Sequence, residues 1–238
     1  MPAPSVRAPY NRRGMQPSSR RPEVMGVKSK LVVAVLSALL VAACAPRSTG
    51  SLAGGAPRPV SIAAIPHVPA DVHFMSGMIH HHAQAVMMAQ WAPTHGASAE
   101  LLRLAERIVV AQNDEIALMQ TWLRDKGEPV PDANPGPMRM RMDGMEHEML
   151  MPGMLTDAQV KQLDAARGAA FDILFLRFMI QHHEGAITMV NELFGSPGAG
   201  QDEVVFRFAS DVYADQTTEI DRMEQMLAAR GASLDGTR

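Results

Sequence analysis

Two pairs of adjacent histidines occur in similar apolar surroundings: His81 with His82, and His182 with His183. The first pair lies in MIHHHAQAVMMAQW, which starts at Met78, and the second lies in MIQHHEGAITMV, which starts at Met179. In a helix, a methionine three or four residues before a histidine lies on the same face, so a thioether and two imidazoles can approach one ion. Thioether sulfur together with imidazole nitrogen suits Cu(I) better than a hard cation.

The similarity extends to a second methionine in each copy, because Met88 corresponds to Met189. The candidate ligands in the helical part are therefore Met78, His81, His82, Met88, Met179, His182, His183 and Met189. His80 corresponds to Gln181, and successive helical residues are about 100° apart, so we expect His80 to face solvent. The alternative, that these histidines are hydrogen-bonded core residues without a metal, stays open.

A second set of soft ligands lies between the two copies, in MRMRMDGMEHEMLMPGM from Met138 to Met154. Methionine at alternate positions puts successive thioethers on one side of an extended chain. The candidate Cu(I) ligands here are Met138, Met140, Met142, Met145, His147, Met149 and Met151. The alternative is a flexible, methionine-rich flap over an apolar groove.

The spacing of the apolar residues indicates which elements hold these ligands. Apolar residues recur at three- and four-residue steps, which predicts two helical hairpins, residues 70–126 and 157–230, joined by a methionine-rich connector, residues 127–156. The segment AQNDEIALMQTWL of the first hairpin aligns with DQTTEIDRMEQML of the second. We therefore predict an all-α protein whose domain, residues 70–232, is a ferritin-like antiparallel four-helix bundle.

The start of the second hairpin carries its own signal. TDAQ, from Thr156 to Gln159, fits a capping box that opens an additional helix. The sequence leaves open whether this helix continues into the next one or breaks around Gly168.

Four polar residues fall on the inward stripes of the second helix of each hairpin: Gln112, Glu115, Gln216 and Glu219. Buried polar groups need hydrogen-bond partners. We expect these side chains to pair with the histidines of the neighbouring helix and to fix the imidazole tautomer. The expectation holds with or without a metal.

The N-terminal part reads as a targeting segment. Residues 25–43 combine a basic stretch with an apolar run of 12 residues, LVVAVLSALLVA, which is shorter than the roughly 20 residues a membrane span needs. The run ends just before Cys44, the one cysteine in the chain, as in a lipoprotein signal. We predict an exported protein that is anchored by a lipid on Cys44 and faces the periplasm or the cell exterior. An ordinary secretory signal is the alternative.

The flanking segments follow from this assignment. Residues 1–24 read as an upstream extension from a mis-called start, and residues 44–69, rich in Pro, Gly, Ser and Ala, read as a flexible tether. Removal of residues 1–43 takes away seven of 22 basic residues and one of 25 acidic residues, which leaves a net charge of −9 with neutral histidines. Such a charge argues against nucleic acid as a partner and is compatible with binding cations.

Four stretches together resemble domain-of-unknown-function family 305, a ferritin-like helical group with CopM-like copper-binding members: MIHHHAQAVMMA, AQNDEIALMQTWL, MPGMLTDAQ and FLRFMIQHHEGAITM. The resemblance covers residues 71–231. It implies an exported helical bundle that binds copper through methionine and histidine and supports copper tolerance.

The favoured function is therefore an exported copper-binding lipoprotein, not an enzyme, that sequesters Cu(I) or transfers it to an unidentified partner protein. One alternative is a ferritin-like metal-dependent oxidase. The di-iron form of that chemistry uses Glu-x-x-His motifs, and the sequence contains none. The other alternative is a metal-free bundle that binds a partner protein.

Overall fold

Five helices and one small sheet make up the computed structural model, which describes residues 66–142 and 144–234. In chain order they are α1 (Pro69–Gln90), α2 (Ala99–Lys126), β1 (Met138–Met142), β2 (Met145–Met149), α3 (Asp157–Ala165), α4 (Gly168–Gly195) and α5 (Glu203–Ala229). The predicted all-α class is confirmed. No helix within the described ranges is both long and apolar enough to cross a bilayer. The predicted signal segment, Cys44 and nearly all of the predicted tether lie outside the described residues.

Side-chain caps explain where three of the helices begin. The hydroxyl of Ser98 accepts a hydrogen bond from the Leu101 backbone at the start of α2, and the carboxylate of Asp202 accepts two at the start of α5. Thr156 and Gln159 form the reciprocal capping box that the sequence predicts at the start of α3. Each cap satisfies backbone N–H groups that have no partner within the helix.

α3 and α4 are separate helices, which answers the question left open around Gly168. The chain leaves the helical conformation after Ala165, and Gly168 has a φ of +57°, a value that favours glycine. The Gly168 backbone N–H donates to the His95 carbonyl oxygen at 2.8 Å. This bond ties the start of α4 to the loop between α1 and α2.

The long helices pack as two hairpins, α1 with α2 and α4 with α5, and α1 also packs against α4. Their buried apolar residues form two clusters. Core A contains residues 74–83 of α1, 116–123 of α2, 186–193 of α4 and 205–212 of α5. Core B contains residues 85–89 of α1, 101–108 of α2, 171–180 of α4 and 223–227 of α5. Since each core joins the first half of one helix to the second half of its neighbour, neighbouring long helices are antiparallel.

The connector forms a two-stranded antiparallel sheet, which we call the methionine hairpin (residues 138–149). The sequence predicts an extended chain here, and the structure folds that chain back on itself. The register pairs Met138 with Met149, Arg139 with Glu148, Met140 with His147, Arg141 with Glu146 and Met142 with Met145. Gly144, in the turn, has a φ of +80°. Glycine adopts a positive φ without a steric penalty, so Gly144 permits the tight turn between β1 and β2.

Candidate metal site

Four buried histidines lie near the place where core A and core B adjoin. On α1 they are His81 and His82, which lie between Ile79 and Ala83 of core A and close to Ala85 of core B. The equivalent residues on α4 are His182 and His183, and all four imidazoles are fully buried. We call these four residues the histidine layer. The two halves of the sequence repeat thus bring their histidine pairs to one level of the bundle.

Three of these imidazoles donate a hydrogen bond from Nε2–H to a carboxylate or carbonyl oxygen. His82 donates to Glu115 Oε2 at 2.7 Å, and His183 donates to Glu219 Oε2 at 2.8 Å. His81 donates to the backbone carbonyl oxygen of Pro152 at 3.0 Å. With Nε2 protonated, Nδ1 of each ring keeps a lone pair, and none of these three Nδ1 atoms has a hydrogen-bond partner. A histidine ligand to a metal commonly has this arrangement, with one nitrogen held by a carboxylate or a carbonyl and the other free.

His182 differs from the other three because neither of its ring nitrogens has a partner. Its ring lies against that of His81, with the ring centroids 3.8 Å apart. Burial, followed by the nearby His82, lowers the pKa of His81 to about 3. Burial and then His81 lower the pKa of His182 well below its ordinary value. Both rings are therefore neutral at neutral pH, which is the form that binds metals.

The four polar residues that were predicted to form hydrogen bonds with the histidines fall into two groups. Glu115 and Glu219 contact histidines of the adjacent helix, as described above. Gln112 and Gln216 are buried, but each Oε1 atom lacks a partner. The expected pairing of histidine with amide is therefore absent from the structure, because the carboxylates one turn further along take the imidazole N–H groups.

The layer as it stands does not form a ready metal centre of nitrogen and oxygen ligands. Among the described residues, no three His, Cys, Asp or Glu side chains come together in a way that could hold a metal ion. A metal site at the histidine layer would therefore need further ligands, and the thioethers of the nearby methionines are the soft ones available.

The four candidate methionines of the helices divide between the two cores. Met78 and Met189 lie in core A, and Met88 and Met179 lie in core B. All four are buried. The repeat therefore places one thioether from each hairpin on either side of the histidine layer.

Met151 lies beyond the methionine hairpin and is buried in core A, so it does not continue the exposed alternation as the sequence predicts. Its Sδ atom is 2.7 Å from the position that a Cβ atom on Gly77 would occupy, and Met189 Cε is 3.4 Å from the same position. These two thioether side chains consequently meet over Gly77. Sequence reasoning missed this meeting because Met151 and Met189 belong to different motifs.

A cavity of about 440 Å³ adjoins this meeting point, and His73, Met149, Met151 and Met189 are among the residues that line it. We call it the thioether cavity. His73 is also absent from the predicted ligand set, since it has no counterpart in the repeat. The sequence did offer one signal: His73 lies four positions before Gly77, and residues four apart lie on the same face of a helix.

The methionine hairpin presents its candidate ligands on one face. Cross-strand partners and alternate residues share a face of a sheet, which groups Met138, Met140, Met142, Met145, His147 and Met149. The opposite face carries Arg139, Arg141, Glu146 and Glu148, and Arg139 Nε lies 3.2 Å from Glu148 Oε1. Met145 is 62% exposed, whereas Met138 is half-buried against core A.

Comparison with solved structures finds relatives of similar fold. A DUF305 protein from Streptomyces coelicolor, described as secreted, is 32% identical, with a TM-score of 0.57 over 69% of this chain and 94% of that one. A DUF305 fragment from Deinococcus radiodurans is 27% identical, with a TM-score of 0.57 over 69% and 99% of the two chains.

A third relative is CopM, which has been solved in Cu(I)-bound and Cu(II)-bound forms. The Cu(I)-bound form is 27% identical to this chain, with a TM-score of 0.50 over 67% of this chain and 96% of that one. None of the proteins with a curated description matches this sequence. The family model for the domain of unknown function DUF305 matches residues 71–227, which include α2, α4, the methionine hairpin and nearly all of α1 and α5. The chain therefore belongs to the DUF305 family.

Proposed function

We propose that this protein is an exported copper-binding protein that sequesters Cu(I) or passes it on, and thereby contributes to copper tolerance. The observation that carries the proposal is the register of the methionine hairpin, in which five methionines and His147 occupy three alternate cross-strand pairs. The similarity to CopM, a protein solved with bound Cu(I), supports the same conclusion.

The chemistry of these ligands selects a soft cation. Residues directly opposite each other in an antiparallel pair have Cβ atoms about 4.5–5.5 Å apart, which lets two flexible thioethers reach one ion. Thioether sulfur is uncharged and polarisable, so it binds Cu(I) and offers little to Mg²⁺, Ca²⁺ or Zn²⁺. The charged residues of the hairpin occupy the intervening pairs of the register, so the positions of the candidate ligands carry no Arg, Lys, Asp or Glu.

The histidine layer supplies a second group of ligands under this proposal. His81 and His182 are neutral at physiological pH, so copper does not have to displace a proton from either ring. Glu115 and Glu219 would hold two of the other imidazoles in the tautomer that leaves Nδ1 free. We propose membrane attachment through a lipid on Cys44, with an unidentified protein as the recipient of transferred copper.

Competition for Cu(I) against a chromogenic chelator, without oxygen, tests the proposal. The main variant replaces Met138, Met140, Met142, Met145 and Met149 by Leu, which keeps side chains of similar size and removes the sulfur. The control variant exchanges the charges of the other face, with Arg139 and Arg141 changed to Glu and Glu146 and Glu148 changed to Arg. This control preserves the cross-strand pairs and all of the thioethers.

We expect the control to withdraw as much Cu(I) as the wild type and the leucine variant to lose the hairpin-bound share. A folded wild-type protein that takes no Cu(I) from the chelator, or that binds Zn²⁺ as tightly, would contradict the proposal. The remaining interpretation would then be a metal-free bundle that binds a partner protein.

A further inference from the structure

The thioether cavity is a place where side chains from three separate segments meet. It lies between the first half of α1, the second half of α4 and the chain that leaves β2. His73 comes from α1, Met189 from α4, and Met149 and Met151 from the chain that leaves β2. No motif of the sequence unites these four residues.

We propose that this cavity is a second Cu(I) site, whose ligands are Met151, Met189 and His73 and which exchanges copper with the methionine hairpin. This inference rests on the proposed function, because it takes Cu(I) as the cargo. It adds a site with its own ligands, and it gives the hairpin the role of an exchange surface.

The position of Met151 is fixed by contacts that only glycine permits. A Cβ atom on Gly77 would come within 2.7 Å of Met151 Sδ, so an alanine there would displace the sulfur. A Cβ atom on Gly185 would come within 2.0 Å of the Pro152 carbonyl oxygen, the same oxygen that accepts the hydrogen bond from His81. Residues 151 and 152 therefore lie tightly against α1 and α4. A ligand held in place before the ion arrives loses little freedom on binding.

The cavity and the hairpin are continuous through Met149. This residue is the last of β2, where it pairs with Met138, and it also lines the cavity. A copper ion on the hairpin face thus has thioether sulfur available at the end of the strand and again two residues later. Because Met151 is 3% exposed and Met145 is 62% exposed, the two ends of this series differ sharply in access to solvent.

The lining favours a soft monovalent cation over other occupants. Two thioethers and one imidazole form an uncharged ligand set, and the remaining charge in the lining is the carboxylate of Glu192. An uncharged apolar molecule would gain from Phe74 and Leu193, which also line the cavity, but would gain nothing from His73 or Glu192. Binding of an apolar molecule in place of copper is one outcome that the experiment below can reveal.

The test counts the Cu(I) equivalents that the full protein retains against a strong chelator. Three variants address the cavity: Gly77→Ala, the double variant Met151→Leu with Met189→Leu, and His73→Gln. Their matched controls are Gly195→Ala, where a Cβ atom meets nothing within 4 Å, Met226→Leu in core B, and His80→Gln. Exchange of Met for Leu preserves volume and usually costs less than about 1.5 kcal/mol, so the double variant should remain folded.

We expect each cavity variant to lose one tightly held equivalent while the hairpin share stays unchanged, and the controls to lose none. X-ray absorption at the copper edge of the five-leucine hairpin variant, loaded with one equivalent, should show sulfur and nitrogen neighbours. Addition of His73→Gln to that variant should remove the nitrogen.

Two results would separate this inference from the proposed function. If wild-type protein retains Cu(I) and the double methionine variant retains the same number of equivalents with the same competition curve, the cavity site is wrong and the copper function stands. If wild-type protein retains none, both fail. If an apolar probe binds in the cavity of the wild-type protein and the number of bound Cu(I) equivalents is unchanged in all cavity variants, the cavity binds an apolar molecule and not copper.

Discussion

His82 and His183 show how one buried imidazole is held by one carboxylate in each half of the chain. The two distances to Glu115 and Glu219 are 2.7 and 2.8 Å. The sequence predicts these contacts because Glu115 and Glu219 repeat on the inward stripe. It also predicts a role for Gln112 and Gln216 that the structure does not show, since spacing along a helix gives the face of a residue but does not choose between neighbours one turn apart.

Replacement of Glu115 by Ala should lower the free energy of unfolding of the apo protein by about 1–3 kcal/mol. The cost arises because the Nε2–H group of His82 is then buried without an acceptor. Glu115→Gln retains an oxygen that can accept and should cost clearly less. Urea unfolding at pH 7.5 measures both, and a loss of only a few tenths in the alanine variant would show that the contact contributes little.

The stability of the apo protein should fall as the pH is lowered from about 6.5 towards about 3. In the unfolded chain, histidine titrates near 6.5, whereas burial lowers the pKa of His81 to about 3 and that of His182 well below the ordinary value. Between these two pH values the unfolded state binds more protons than the folded state. The free energy of unfolding therefore falls by about 1.4 kcal/mol for each such histidine and each unit by which the pH is lowered. The full stability is present above pH 6.5.

Urea unfolding at several pH values between 4 and 7.5 tests this dependence. His81→Gln should reduce the slope by the share of one histidine, and the half-buried His80→Gln should leave it unchanged. Equal slopes in wild type and His81→Gln would show that His81 is protonated in the folded state. An exposed imidazole would lose its ability to bind copper as the pH falls through about 6.5, and burial of His81 moves that loss to lower pH.

At the scale of elements, the segment from Met151 to Gly153 is the least expected part of the structure. Alternation of Met predicts extended chain up to Met151, whereas β2 ends at Met149. What the alternation cannot predict is that the chain leaves the sheet after Met149 and enters the groove between α1 and α4. That docking depends on Gly77 and Gly185, which lie in helices and look unremarkable along the sequence.

Gly185→Ala should destabilise the protein although alanine favours helix. Alanine gains about 1 kcal/mol of helix propensity over glycine. A Cβ atom at this position would lie 2.0 Å from a backbone oxygen of Pro152, which cannot move aside as a side chain can. We expect a net loss of about 1–3 kcal/mol, typical of overpacking, and loss of the hydrogen bond from His81.

Thermal unfolding of Gly185→Ala beside Gly195→Ala measures this effect, because nothing lies near a Cβ atom at Gly195. A rise in the unfolding temperature of both variants would show that the segment is held loosely. A fall in Gly185→Ala alone would agree with tight docking.

For the whole molecule, the helical class and the pairing of hairpins could be predicted because the repeat carries its own periodicity. The break between α3 and α4 could not, since it depends on the left-handed Gly168 and on its bond to His95, a residue far away in the chain. The sequence also could not predict that the candidate methionines would divide between two cores. Met78 and Met88 lie on one helix, and the histidine layer between them becomes visible only when the second hairpin is in place.

Attachment to a membrane remains a prediction for the chain as a whole, because Cys44 lies outside the described residues. Cells grown with a palmitate analogue should label the wild-type protein and leave Cys44→Ser unlabelled. The sequence has no other cysteine, so the variant removes every thiol that could carry the lipid. Equal labelling of the two proteins would exclude a lipid anchor at this position.

The carbonyl oxygen of Pro152 has a consequence for the symmetry of the bundle. The two hairpins repeat one carboxylate contact, His82 with Glu115 in the first and His183 with Glu219 in the second. The chain between the hairpins can enter the groove only once, and the carbonyl of Pro152 that it supplies accepts from His81 and not from His182. Two histidines that a duplicated sequence makes equal thus become chemically distinct, and the distinction arises from connectivity and not from any difference between the two copies.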